Sequence, residues 1–180
     1  MTLTEQNLKK IKFEVLSKFP CYCWIAGGAI VSFLLGQKVK DVDIFFPSEK
    51  DRKKSINIFK GMGAKLIHEF PLGTKMKYKG LSFDLVHLGD SPEDCIHLFD
   101  YTVCSVAVDK NQKFFYHKDF FEHLESKEIH YMSNHPAKHY VGKAKRMVKY
   151  LNKGFTLDQK NLEKWLNGLI KDHRKPHRKY

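Results

Sequence analysis

Apolar positions change their spacing along the chain, and each change marks an element. Leu8, Ile11, Val15 and Phe19 recur at helical intervals, which predicts an amphipathic helix over 4–19, ended by Pro20. Cys21 to Ala26 is short, apolar and β-leaning, as a central strand is. Gly27-Gly28 breaks it, and Ala29 to Leu35 reads as a short buried helix closed by Gly36. Val42 to Phe46 is a second strand, stopped by Pro47. Ser48 then caps a helix to about Lys60, with Ile56 and Phe59 turned inward. Three strand-like runs follow at Lys65–Phe70, Thr74–Tyr78 and Leu81–Leu88. Pro92–Leu98 is helical, and Val103–Val108 with Phe114–Tyr116 makes a hairpin. The segment 118–132 is a helix followed by an extended piece.

After His135-Pro136 the pattern becomes purely helical. Val141, Ala144, Val148 and Leu151 line one face of a helix, and Lys143, Arg146, Lys149 and Lys153 the other. Gly154 closes it. Thr156 to Gln159 is a capping-box pattern that opens a last helix with Leu162, Trp165, Leu166, Leu169 and Ile170 on one stripe. The order is a mixed α/β body with a helical appendage. The fold class is α+β, a mixed sheet flanked by helices.

Charge sharpens that division. The 180 residues carry 32 Lys+Arg against 20 Asp+Glu, a net of +12. Residues 138–180 hold 13 of the bases and 3 of the acids, so nearly all of the surplus lies in the appendage. Such a concentration favours a polyanionic partner, and the basic helix with the tail from His173 to Lys179 suits phosphate-backbone contact. Cys21, Cys23, Cys95 and Cys104 fit no zinc spacing and read as buried reduced thiols of a cytoplasmic protein. His135 and His139 are four apart, but Pro136 interrupts any helix that would align them on a metal. Phe19 to Gln37 is 19 residues without a charge, yet Pro20, Gly27-Gly28 and Gly36 make it strand, turn and helix rather than a membrane span.

The chemistry concentrates at Gly27–Asp43. A strand runs into a double glycine and a helix, where a phosphate can approach the backbone closely. Asp41 and Asp43, two apart on the next strand, point to one side while Val42 and Ile44 point to the core. Two carboxylates on one face repel unless a cation lies between them, and all-oxygen ligation suits Mg²⁺. Asp84, between Phe83 and Leu85 in an apolar strand, is the natural third member.

These residues resemble the signature of the polymerase β-type nucleotidyltransferase superfamily, and most closely the head domain of CCA-adding enzymes and bacterial poly(A) polymerases. That signature appears here as Gly27-Gly28-Ala29, Leu34-Leu35-Gly36 and Asp41-Val42-Asp43. Phe99–Ala107 and Arg146–Thr156 resemble two further family stretches. The resemblance implies a nucleotidyltransferase head over 1–133 and a basic neck-like appendage over 134–180. It also implies transfer of an NMP from an NTP such as ATP to an acceptor hydroxyl, with RNA, tRNA included, as acceptor.

In that scheme Asp41, Asp43 and Asp84 hold two Mg²⁺ or Mn²⁺ ions, and Gly27 and Gly28 contact the β- and γ-phosphates. Ser32 is a candidate phosphate donor, and Asp100 either orients the nucleotide or caps local structure. Lys143, Arg146, Lys149 and Lys153 form the nucleic-acid contact. Two departures stand out: Val31-Ser32 replaces the family's Arg-Asp, and Leu98-Phe99 replaces its paired arginines, leaving His97 as the nearest donor. The alternatives are a protein or small-molecule acceptor, or a degenerate head domain that binds without catalysis.

Overall fold

Strands with alternating apolar and acidic positions need one covered face and one open face, and the sheet provides both. A computed structural model of the chain describes residue 8 and residues 13–132 and 140–173. Seven strands form one sheet: β1 (Trp24–Ala26), β2 (Asp41–Phe45), β3 (Lys65–Phe70), β4 (Gly73–Tyr78), β5 (Leu81–Val86), β6 (Val106–Asp109) and β7 (Phe114–Tyr116). Their order is β3-β4-β5-β2-β1-β6-β7, with β2 and β5 parallel and every other pair antiparallel. The helices are α1 (Gly28–Leu34), α2 (Glu49–Gly61), α3 (Pro92–His97), α4 (Phe120–Ser126), α5 (Tyr140–Leu151) and α6 (Gln159–His173). The expected α+β class is the one observed.

Parity along the strands sorts side chains to the two faces. Ile25, Val42, Ile44, Phe83, Leu85, Val106 and Val108 enter the main core, where Ile56 and Phe59 of α2 and Phe120 and Leu124 of α4 cover them. Trp24, Ala26, Phe45, Val86 and Ala107 turn the other way, and Cys95 and Ile96 of α3 close over part of that second layer. The rest of this second face, toward Asp41, Asp43 and Asp84, carries the acids.

Three local expectations differ from the structure. Within the described part of the predicted first helix, Glu14–Lys18 is a 3₁₀ turn in which the Phe19 amide donates to the Leu16 carbonyl. Its buried pair, Leu16 and Phe19, has the three-residue spacing of that tighter helix. Thr102–Cys104 is likewise a 3₁₀ turn rather than strand, because the Ser105 hydroxyl and amide bond back to Tyr101 and Thr102. Residues 1–7 and 9–12, His135-Pro136 with His139, and the basic tail 174–180 lie outside the described residues.

The third difference concerns α5, which packs through the face opposite to the one expected. Met147 and Tyr150 join Phe155 in the main core, and Lys143 is 2% exposed. Val141, Val148 and Leu151, expected to be inward, are exposed. Tyr150 explains the choice: its ring fills a large volume against Phe155, with centroids 5.2 Å apart, which small β-branched valines cannot match. Truncating the buried side should therefore matter far more than truncating the apolar exposed side. Met147→Ala is expected to cost about 2–4 kcal/mol, and Val148→Ala less than about 0.5 kcal/mol, in chemical denaturation.

Candidate functional site

Gly27 ends β1 with φ of 76°, a backbone region that disfavours side chains. Its amide donates to the Val106 carbonyl at 2.8 Å, which fixes the turn against β6. A Cβ here would also meet the Phe99 ring at 3.5 Å. The β1–β2 register pairs Ile25 with Ile44, and its continuation brings Ala26 and the glycine turn beside Asp43 and Val42.

On the other side of β2, the parallel register sets Asp43 directly opposite Asp84. Asp43 is half-buried, and its pKa is pushed up to about 6, first by burial and then by Asp84. Lys149 and Lys75 oppose that rise. Across the β4–β5 hairpin Lys75 faces Asp84; its Nζ lies 3.1 Å from Asp84 Oδ2 and 3.9 Å from Asp41 Oδ1. Asp84 Oδ1 is buried and accepts no hydrogen bond.

These observations bear directly on a divalent cation. An orphaned carboxylate oxygen beside a second desolvated carboxylate is a donor pair that such an ion satisfies. Asp43 and Asp84 therefore fit a metal. Asp41 shares the face but is half exposed and leans on Lys75. Among the described residues no three His, Cys, Asp or Glu side chains converge closely enough to share one ion. The expected three-carboxylate set is thus a register pair, Asp43 and Asp84, with Asp41 joined to Asp84 through Lys75.

A cleft of about 930 Å³ opens over this pair. Gly27, Gly28, Asp43 and Asp84 form its polar end, Phe45, Phe70, Leu72 and Phe99 its apolar wall, and α5 its rim. Here α5 again departs from expectation. Lys143 is buried, its Nζ 3.3 Å from the Tyr131 hydroxyl and 4.0 Å from Asp100 Oδ1. Arg146 donates to Asp100 Oδ2 at 2.5 Å. Lys149 lines the cleft, and Lys153 Nζ donates to Ser32 Oγ at 3.1 Å. Of the four bases only Lys143 is buried; Arg146 and Lys149 stay exposed while Arg146 and Lys153 also reach inward to Asp100 and Ser32.

Asp100 is 5% exposed and serves as the anchor for α5 through Arg146 and Lys143. Ser32 lies under Lys153. His97, the expected substitute donor, is exposed and lines a different cavity with Phe114 and His117. Sequence reading missed Lys75 and Phe99 as members of the site. Lys75 had a signal, since the two-residue turn Lys79-Gly80 pairs Tyr78 with Leu81 and counting back pairs Lys75 with Asp84. Among the described residues no helix is long and apolar enough to cross a membrane.

Comparison with known proteins places the chain. A family model described as "Gabija anti-defense 2 family protein" matches residues 3–127. A curated protein of Bacillus phage SPbetaL7, "Gabija anti-defense 2", is 28% identical over 138 residues, covering 75% of this chain and 34% of its own length. Among solved structures, the Thermotoga maritima CCA-adding enzyme complexed with tRNA superposes with a TM-score of 0.68 at 16% identity, covering 93% of this chain and 45% of that one. A tRNA nucleotidyltransferase complexed with a primer tRNA and an incoming ATP analog gives 0.63 at 19% identity, covering 88% and 49%. The Bacillus stearothermophilus CCA-adding enzyme in complex with CTP gives 0.62 at 20% identity, covering 84% and 41%. The chain thus spans about a third of the curated relative and under half of these structures. The fold is that of CCA-adding nucleotidyltransferase heads.

The raised pKa of Asp43 sets a pH dependence of known sign. Between its ordinary 3.8 and about 6, the folded protein keeps a proton that the unfolded chain has released. Ionising Asp43 therefore costs stability as the pH rises through that window. Asp43→Asn removes the cost and should stabilise the protein by about 1–3 kcal/mol above pH 7, with the gain gone near pH 4. Thermal melts of both proteins between pH 4 and 8 check this; a difference that does not vary with pH would contradict it.

Proposed function

The chain belongs to the Gabija anti-defense 2 family, and from that premise we propose that it is a metal-dependent nucleotidyltransferase whose reaction counters a defence system. In this reading it moves an NMP from an NTP to an acceptor hydroxyl. The observation that carries the reading is the Asp43–Asp84 pair, held in register beside the Gly27-Gly28 turn with one buried Asp84 oxygen unpartnered.

A divalent ion held by Asp43 and Asp84 would neutralise phosphate charge and lower the pKa of the acceptor hydroxyl. The glycine turn admits the phosphates to the backbone without side-chain obstruction. Phe45, Phe70 and Phe99 offer the nucleoside or acceptor an apolar wall. The acceptor oxygen attacks the α-phosphorus, the bond to the β-phosphate breaks, and pyrophosphate leaves. The hydroxyl proton passes to Asp84 and on to solvent.

The acceptor belongs to the defence machinery. RNA was expected from the basic helix, but Lys143 and Arg146 are engaged internally. The family's anti-defence character shifts weight to a protein hydroxyl. A second reading, a head domain that binds a partner without transfer, is favoured by Lys75, which already neutralises Asp84 and Asp41.

The test is label transfer. The protein is incubated with each α-labelled NTP, Mg²⁺ or Mn²⁺, and either total RNA or an extract of cells that carry the defence. Asp43→Ala and Asp84→Ala proteins serve as controls, as does γ-labelled NTP. Label on one macromolecule from α- but not γ-labelled NTP, reduced at least roughly a hundredfold in the variants, is the expected result. Label on RNA would return the acceptor to nucleic acid. No label in any combination would support the binding-only reading.

A further inference from the structure

Lys149, in the last turn of α5, and Lys153, just beyond its end, are bases that the sequence assigns to solvent, yet both converge on the glycine turn and the helix that follows it. Lys149 Nζ lies 3.9 Å from where a Cβ of Gly28 would stand, and it lines the cleft. Lys153 Nζ donates to Ser32 Oγ at 3.1 Å and stands 5.9 Å from the centroid of the Tyr150 ring. Lys149 lies in the last turn of α5 and Lys153 in the turn that follows its end at Leu151, close enough that each charge acts on the other. Like charges so placed repel, and burial together with Lys149 lowers the pKa of Lys153.

The arrangement is held from behind. Arg146, one turn before Lys149, is fixed by Asp100, while Met147 and Tyr150 seat the helix in the core. Among the described residues neither lysine is ion-paired with a carboxylate within 4 Å, and Lys149 acts on Asp43 only across a longer gap. The turn itself brings no cation, since Val31 and Phe99 stand beside it. A lone monovalent anion would meet one ammonium. A polyphosphate, with several negative oxygens spaced along its length, meets both and relieves their repulsion.

We propose that Lys149 and Lys153, with the Gly27-Gly28 turn, form the subsite for the polyphosphate tail of the nucleotide. This assignment rests on the nucleotidyltransferase reading and adds residues to it. In consequence α5 clamps the nucleotide rather than following a nucleic-acid backbone. Arg146 and Asp100 are positioning residues for that clamp.

Calorimetric titration with inorganic tripolyphosphate and with a non-hydrolysable NTP analogue, at constant Mg²⁺, tests this. Lys149→Ala/Lys153→Ala should weaken both ligands at least about tenfold, and the double arginine variant should restore most of the affinity. Binding of an uncharged nucleoside should not change. Circular dichroism and melting temperature confirm that the variants fold; Lys149 is exposed, so loss of fold is not expected from its truncation. Unchanged tripolyphosphate affinity in the double variant would overturn the subsite while leaving the nucleotidyltransferase reading in place. The same result with loss of salt-dependent RNA retention would overturn it in favour of backbone contact. Failure of the wild-type protein to bind either ligand would overturn both.

Discussion

Asp43 and Asp84 face each other because β2 and β5 run parallel, and the closeness of these two acids shapes everything around them. The strands cannot slip relative to one another without exposing Val42, Ile44, Phe83 and Leu85, which the core buries on the opposite face. Hydrophobic burial therefore enforces an electrostatic cost. The structure answers that cost with cations from two directions, Lys75 from the adjacent hairpin and Lys149 from the rim helix. A bound divalent ion would complete the answer, since one buried Asp84 oxygen still lacks a partner.

Much of this was legible in the chain. Alternation set the strands and told which face each acid takes, and Ser48 caps α2 as expected by accepting from the Asp51 amide. The helix at 140–151 shows what pattern alone does not carry. Val141, Val148 and Leu151 form an apolar stripe, but a stripe is only one claim on a packing surface. Met147, Tyr150 and the long alkyl stem of Lys143 make a competing one, and the larger volumes won. A buried lysine also needs partners distant in sequence, here Tyr131 and Asp100, which no local window contains.

That reversal changes what the basic quarter means. Read as a stripe facing solvent, it points to nucleic acid. In the structure Lys143 and Arg146 anchor α5 on Asp100, and Lys149 and Lys153 lean over the glycine turn and the helix after it. The fold is shared with CCA-adding enzyme heads, while the family is one of anti-defence proteins. The proposed transfer to a defence component is compatible with both, because a fold by itself leaves the chemistry and the acceptor to the site built on it.

Asp43 and Asp84 are proposed as a metal-dependent nucleotide site rather than an acid pair settled by Lys75. Equilibrium binding of Mn²⁺, followed by electron paramagnetic resonance with and without a non-hydrolysable NTP analogue, tests it most directly. Saturable Mn²⁺ binding is expected, strengthened by the analogue and weakened at least about tenfold in both Asp43→Asn and Asp84→Asn. Equal Mn²⁺ binding by wild type and both variants, unaffected by the analogue, would contradict it.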